Sequence, residues 1–144
     1  MLRLSKLTDY AMVIMAFLAS NPGQKASNAK HIAEKTGISL PTISKLLKCL
    51  AQHKLLLAHR GMKGGYQLAL PATEIALTKI IQALEGQIAL TECSHHNRQC
   101  SVEKHCVIRD NWRTISAFIQ DTLSRISVAD LIQPQKLESL LNSR

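Results

Sequence analysis

Three cysteines, Cys93, Cys100 and Cys106, fall within 14 residues at spacings C-x₆-C-x₅-C. The stretch that carries them, Thr91 to Cys106, is polar and has no sustained apolar period, so core packing does not account for its thiols. Thiolates gathered in this way bind zinc or an iron–sulfur cluster, and spacing alone does not separate the two. A disulfide-forming redox switch is the remaining chemistry. No C-x₂-C pair supplies a fourth ligand. His95, His96, His105 and Glu92 lie within the loop, and zinc would favour a histidine in a Cys₃His site. Cys49 stands apart, beside Leu50 in an apolar-periodic segment, and reads as a small buried hydrophobe.

The second chemical signal is charge. The chain of 144 residues carries a formal +8, with 18 Lys plus Arg against 10 Asp plus Glu. Residues 1–66 hold ten basic side chains and only two acids, Asp9 and Glu34, whereas residues 67–144 hold eight of each sign. The whole excess therefore sits in the first half, as expected where that half meets a polyanion. With 46% hydrophobic and 19% charged residues the composition is that of a globular protein. Five aromatic residues are too few for a stacking platform along single-stranded nucleic acid. The longest apolar run, Ala11 to Ala19, has nine residues where a membrane span needs about 20. Asp9 at its edge and the lack of a small-residue cleavage site argue against a signal peptide, so a cytoplasmic location is expected.

The elements that must position these groups follow from periodicity. Residues 5–19 place Leu7, Tyr10, Val13, Ile14, Phe17 and Leu18 on one helical face, closed by Asn21-Pro22-Gly23. Ser27 or Asn28 caps a short helix from Ala29 to Lys35, which Gly37 ends. Ser39 caps a third helix with Pro41 in its first turn and a buried stripe of Ile43, Leu46, Leu47 and Leu50. Two helices joined by a tight glycine turn form a helix-turn-helix. Leu55–Ala58 and Tyr66–Leu70 read as strands around His59-Arg60-Gly61-Met62-Lys63-Gly64-Gly65, a glycine-rich basic hairpin of the kind called a wing. Thr78 caps a helix from Lys79 to Glu85, with Gly86 as its stop. After the cysteine loop, Ile108, Trp112, Ile115, Ile119, Leu123 and Ile126 mark a helix of about 19 residues, or roughly 28 Å. Such a stripe needs a partner surface, either the N-terminal domain or the same helix of a second subunit.

The predicted fold class is mainly α: a winged helix-turn-helix domain (1–86) with a small β-hairpin wing, a cysteine loop (87–107), a long dimerisation helix (108–127) and a C-terminal segment (128–144). In this arrangement Thr42, Ser44 and Lys45 lie near the N-terminal end of a recognition helix, where base edges are met in the major groove. Lys48 is placed for phosphate, Arg60 for the adjacent minor groove, and Lys63 shares the wing. The histidines have no acid or nucleophile paired with them on a recognisable turn, so the chain reads as a non-enzyme.

The opening Leu2-Arg3-Leu4 with Thr8-Asp9-Tyr10-Ala11, the helix-turn-helix, the wing Arg60-Gly61-Met62-Lys63-Gly64-Gly65-Tyr66, the three-cysteine loop and the closing Ile126-Ser127-Val128-Ala129-Asp130-Leu131 occur in order. Together they resemble the IscR, NsrR and SUF-operon regulators, a family of dimeric winged-helix iron–sulfur transcription factors, over nearly the whole chain. The resemblance implies that Cys93, Cys100 and Cys106 hold a cluster beside the base of the dimerisation helix and that Arg60 serves the wing. It implies further that Asp9, in Leu7-Thr8-Asp9-Tyr10, is the ligand supplied in trans to a 4Fe–4S cluster, as in the NsrR branch. In the IscR branch a histidine three residues past the last cysteine completes a 2Fe–2S cluster; here that place is Arg109, which favours the 4Fe–4S type. The first cysteine gap is x₆ where x₅ is usual in those relatives, so 2Fe–2S and 4Fe–4S both stay open; Ser44 stands where IscR has a glutamate, so IscR's sorting of operators does not carry over. His31 is a further ligand candidate. The expected protein is a homodimer on double-stranded operator DNA, controlling SUF-type iron–sulfur assembly genes. The alternatives are a nitric-oxide-sensing repressor of the NsrR kind and a DNA-binding module with a structural zinc.

Overall fold

The computed structural model describes residues 3–21, 26–95 and 100–142. Helix α1 (Lys6–Ala19) opens at Ser5, whose side chain accepts the Thr8 N–H. Helix α2 (Ala29–Thr36) opens at Asn28, whose Oδ1 accepts the His31 N–H at 2.8 Å, and it closes at Gly37 with φ 72°. That left-handed conformation is the reason for a glycine between the two helices. Helix α3 (Leu40–Gln52) follows, with Ser39 in the capping position and Pro41 in the first turn. The Ser39 hydroxyl pairs with Thr42 Oγ1 at 2.8 Å instead of a backbone N–H, so the expected residue caps by position and not by its side chain. Strands β1 (Leu56–His59) and β2 (Gly65–Leu68) pair antiparallel, from Leu56 opposite Leu68 to His59 opposite Gly65. This is the predicted hairpin, with its first strand displaced by one residue and its second starting one residue earlier and ending two residues sooner than expected.

The core is built from Ile14 and Met15 of α1, Ile32 of α2, Ile43, Leu46, Leu47 and Leu50 of α3, Leu55, Leu56, Ile75 and Ile80. The predicted stripe of α1 is corrected here. Ile14 and Leu18 are buried as expected, but Leu7 and Val13 face outward, and Thr8, Ala11 and Met15 are buried instead. Apolar residues surround most of this helix, so periodicity left its phase open; Thr8 is drawn inward by a polar partner, Glu85, far along the chain.

Val128 completes the same core. The chain returns to the first domain through a strand-like crossing in which Leu77 N–H donates to Ile126 O at 2.8 Å and Val128 N–H to Ile75 O at 2.9 Å. This crossing explains two further corrections. Helix α4 (Leu77–Glu85) starts at Ala76 rather than at Thr78, which lies buried inside the first turn. Helix α5 (Arg109–Ser124) is shorter than the predicted 108–127, because Ile126 and Ser127 are extended against Ala76. Short helix α6 (Val128–Leu131) and α7 (Pro134–Asn142) follow.

Ser127 and Asp130 form a capping box at the start of α6. The Asp130 carboxylate accepts from Ser127 N–H at 2.9 Å and from its hydroxyl at 2.6 Å, while the Lys136 ammonium lies 3.0 Å from the other oxygen. The Ser127 bonds, helped by that ammonium, hold the buried carboxyl down to about 2.

Candidate nucleic-acid interface and cysteine site

Burial of Ile43, Leu46, Leu47 and Leu50 fixes the rotation of α3 and leaves Lys45 and Lys48 exposed, with Thr42 and Ser44 half-buried. All four therefore lie off the buried stripe, on a helix free to enter a groove. The wing projects beside it with Arg60, Met62 and Lys63 exposed. Gly61 turns the hairpin at φ 112°, and Gly64 N–H closes the turn on Gly61 O at 2.9 Å. At the wing root a backbone passes too close for any side chain: a Cβ on Gly65 would lie 2.6 Å from the Ser27 carbonyl. Ser27 and Tyr66 exchange backbone hydrogen bonds at 2.9 and 2.8 Å, so the wing is joined to the segment that opens α2.

The cysteine site begins where α4 ends. None of Cys93, Cys100 and Cys106 is in a disulfide, and each is half-buried. Cys93 sits in a single 3₁₀ turn (Glu92–Ser94), its Sγ 3.1 Å from the Thr91 hydroxyl. Cys100 and Cys106 flank a second such turn (Glu103–His105), in which Glu103 N–H donates to Cys100 O and Cys106 N–H to Glu103 O. One face of α5 seats the first limb: Ser116 Oγ accepts Leu90 N–H at 3.1 Å, and Ser94 Oγ donates to Trp112 O at 3.3 Å. Arg113 donates through Nε to Cys93 O at 2.9 Å and through Nη2 to Glu103 Oε1 at 2.8 Å. Arg109 lies 3.6 Å from the same carboxylate oxygen. Cys93, His95, Glu103 and Arg113 line one cleft against α5.

Thiols outside disulfides on a polar loop are a donor set that would fit an iron–sulfur cluster or zinc. Among the described residues no three His, Cys, Asp or Glu side chains already converge on one point. Metal sites are commonly assembled by the metal, because unneutralised thiolates repel one another, so this open arrangement suits a site completed on loading. His105 is exposed on the second turn, Glu92 is exposed on the first, and His96 lies outside the described residues. His31 packs against Phe17, ring centroids 5.9 Å apart, which gives it an aromatic neighbour rather than a thiol. Asp9 is exposed on the first turn of α1. Cys49 is half-buried, less so than the buried hydrophobe expected, with its Sγ donating to Ala83 O at 3.4 Å.

Residue-type reasoning missed Glu85. Its Oε1 accepts from Thr8 Oγ1 at 2.7 Å and from Ser5 N–H at 2.6 Å, and these bonds hold its carboxyl below the usual range. The start of α1, with Asp9, is thereby tied to the end of α4, directly before the cysteine loop. Arg113 was missed as well. Its only signal in the sequence is that Arg109 and Arg113, one turn apart on the helix after the loop, put two cations on one face opposite a loop that holds Glu103.

Comparison with known proteins decides the family. The Rrf2 family model, described as an iron-dependent transcriptional regulator, matches residues 4–134. The chain belongs to the Rrf2 family. Among relatives, the HTH-type transcriptional regulator IscR of Sodalis glossinidius is 29% identical over 136 residues, covering 94% of this chain and 82% of that protein. The regulator NsrR of Oceanobacillus iheyensis is also 29% identical, over 94% of this chain and 92% of its own. Among solved structures, CymR of B. subtilis, titled the global cysteine regulator, superposes with a TM-score of 0.76 at 26% identity, covering 92% of this chain and 97% of its own. T. potens IscR superposes with a TM-score of 0.71 at 28% identity, over 93% and 88%. The protein is thus an Rrf2 transcriptional regulator with the predicted winged-helix fold, and its named relatives are regulators rather than enzymes. No helix among the described residues is long and apolar enough to cross a membrane.

Proposed function

We propose that this Rrf2 chain is a homodimeric iron–sulfur regulator of operator DNA, controlling genes of SUF-type iron–sulfur assembly. The observation that carries the reading is three thiols outside disulfides on a polar segment seated against α5. The family's iron dependence makes iron the metal to expect there. Cys93, Cys100 and Cys106 are the thiolate ligands. Asp9, supplied in trans, is the fourth, in keeping with a 4Fe–4S cluster. When bound, the cluster supplies a redox-active, oxidatively labile centre whose presence reports iron and redox supply.

The second subunit is supported by the uncovered half of α5. Its C-terminal part packs through Leu123 onto Leu77, Ile81 and Ile126. Toward its N-terminus, Ile108, Ile115 and Phe118 are 51%, 44% and 60% exposed. An apolar surface of this kind on a long helix pairs with its symmetry copy in an isologous dimer. On DNA, α3 lies in the major groove, Thr42, Ser44 and Lys45 meet base edges, and Lys48 meets phosphate. Arg60 enters the minor groove and Lys63 supports the wing on the backbone. Occupancy of the cysteine site and operator binding are linked when both favour one placement of the two wing domains, with a coupling of about 1–3 kcal/mol.

Purification without oxygen tests the reading. Brown protein with iron and acid-labile sulfide, lost in a Cys100→Ala variant, is expected. Stoichiometric zinc with no visible absorbance would replace it by a structural zinc site. A nitric-oxide sensor of the NsrR kind is the second reading, favoured by the NsrR relative's coverage. It predicts release of operator DNA on nitric oxide treatment of the brown protein.

A further inference from the structure

The cysteine segment consists of two limbs, and one guanidinium of α5 bonds to both. Arg113 uses its Nε on the Cys93 carbonyl at 2.9 Å and its Nη2 on Glu103 at 2.8 Å. Glu103 lies midway between Cys100 and Cys106 and is bonded through its backbone to both, accepting the Cys106 N–H and donating to the Cys100 carbonyl. Its carboxylate is about one-quarter exposed and has a second cation, Arg109, one turn earlier on the same helix. A planar fork with donors at fixed angles is the side chain suited to hold two acceptors on separate segments; a lysine, with one flexible point charge, is not.

We propose that Arg113 is the positioning residue of the cysteine site, a clamp that fixes the Cys93 limb and the Cys100–Cys106 turn on α5 and couples occupancy of the site to that helix. This deepens the iron–sulfur reading and rests on it for the identity of the ligand, although the clamp itself is a property of the chain alone. Two consequences follow from its geometry. Arg113 shortens the search that the three thiols make for one another, since both limbs stay on the same face of α5 before any metal arrives. Because the clamp stands on α5, a change in the limbs on cluster loss is delivered to the helix that carries the exposed apolar face.

The test uses full-length wild type, Arg113→Ala, Arg113→Lys, Glu103→Gln and the Arg113→Ala/Glu103→Gln double variant, with thermal melts to confirm folding. Two readouts are taken. The first is the rate of iron loss to a chelator after anaerobic purification. The second is the rate at which iodoacetamide alkylates Cys93, Cys100 and Cys106 in chelator-treated protein, read peptide by peptide. Outer-shell partners of metal ligands are worth 10–100-fold in metal affinity, so Arg113→Ala is expected to lose iron at least about tenfold faster. It should also alkylate Cys93 several-fold faster. Arg113→Lys should recover little of either, and the double variant should resemble Arg113→Ala alone, because the two side chains act as one unit. Wild-type rates in Arg113→Ala for both readouts would overturn the clamp. If the wild-type protein holds no iron, the cluster reading falls, and the alkylation rates still decide the clamp: equal rates end it and unequal rates sustain it. Should Arg113→Ala fail to fold, Arg113→Lys and Glu103→Gln carry the same comparison.

Discussion

Gly65 shows how strictly a single position is set. A Cβ there would lie 2.6 Å from the Ser27 carbonyl, and the obstacle is backbone that cannot swing aside. Gly65→Ala should therefore lower stability by about 1–3 kcal/mol, read as a lower urea midpoint, and should weaken operator binding by loosening the wing root. Arg60 makes a different kind of residue-scale claim, because it is exposed at the start of the wing turn and holds nothing in the fold. Arg60→Ala should leave the urea midpoint within about 0.5 kcal/mol of wild type in free energy. It should reduce operator affinity, with a salt slope shallower by about one charge if it also meets phosphate. Unchanged affinity at physiological salt would remove Arg60 from the interface.

At the scale of elements, the capping box of α6 makes a pH prediction. The Asp130 carboxyl titrates near 2 in the folded chain against an ordinary 3.8, so its contribution is fully present above about pH 4. It is lost as pH falls from about 4 toward 2, and amounts to about 2 kcal/mol. Asp130→Asn should remove that stability at neutral pH and flatten the acid limb of the unfolding midpoint; an unchanged limb would mean that another carboxylate governs it. The helix-turn-helix and wing were legible in the sequence because their signals are local: a 3.6-residue stripe in α3, Gly37 at a left-handed turn, glycines in a basic hairpin. The start of α4 was not, because Ala76 is fixed by Ser127, 51 residues away, and no nearby residue announces it. The phase of α1 failed for a related reason, since Thr8 owes its burial to Glu85. The cysteines could be picked out as candidates by type and spacing, whereas their seat on Arg113 and Ser116 needed the fold to bring residues 90–106 against α5.

On the whole molecule, α5 leaves Ile108, Ile115 and Phe118 uncovered, while Leu123 near its C-terminus packs on Leu77, Ile81 and Ile126. Replacing Phe118 or Ile115 by Asp should shift sedimentation from dimer to monomer and cost operator affinity, because two half-sites no longer act as one ligand. A dimer that persists in both variants would place the subunit contact elsewhere. The two-fold symmetry of the proposed dimer further predicts a near-palindromic operator with half-site centres about one helical turn apart, visible in a footprint. The crossing at Ala76 and Ser127 gives the helix a mechanical character of its own. Ile126 and Ser127 are a fulcrum fixed to the DNA-reading body, and the guanidinium at residue 113 stands 13 residues away, an arm of about 20 Å at 1.5 Å per residue. A tilt of about 5° about that fulcrum moves the far end by nearly 2 Å, the size of step at which packed helix interfaces exchange one arrangement for another. Leverage, rather than a large rearrangement, is what this architecture would offer the proposed dimer for turning an event at a thiol into a new spacing between its two wings.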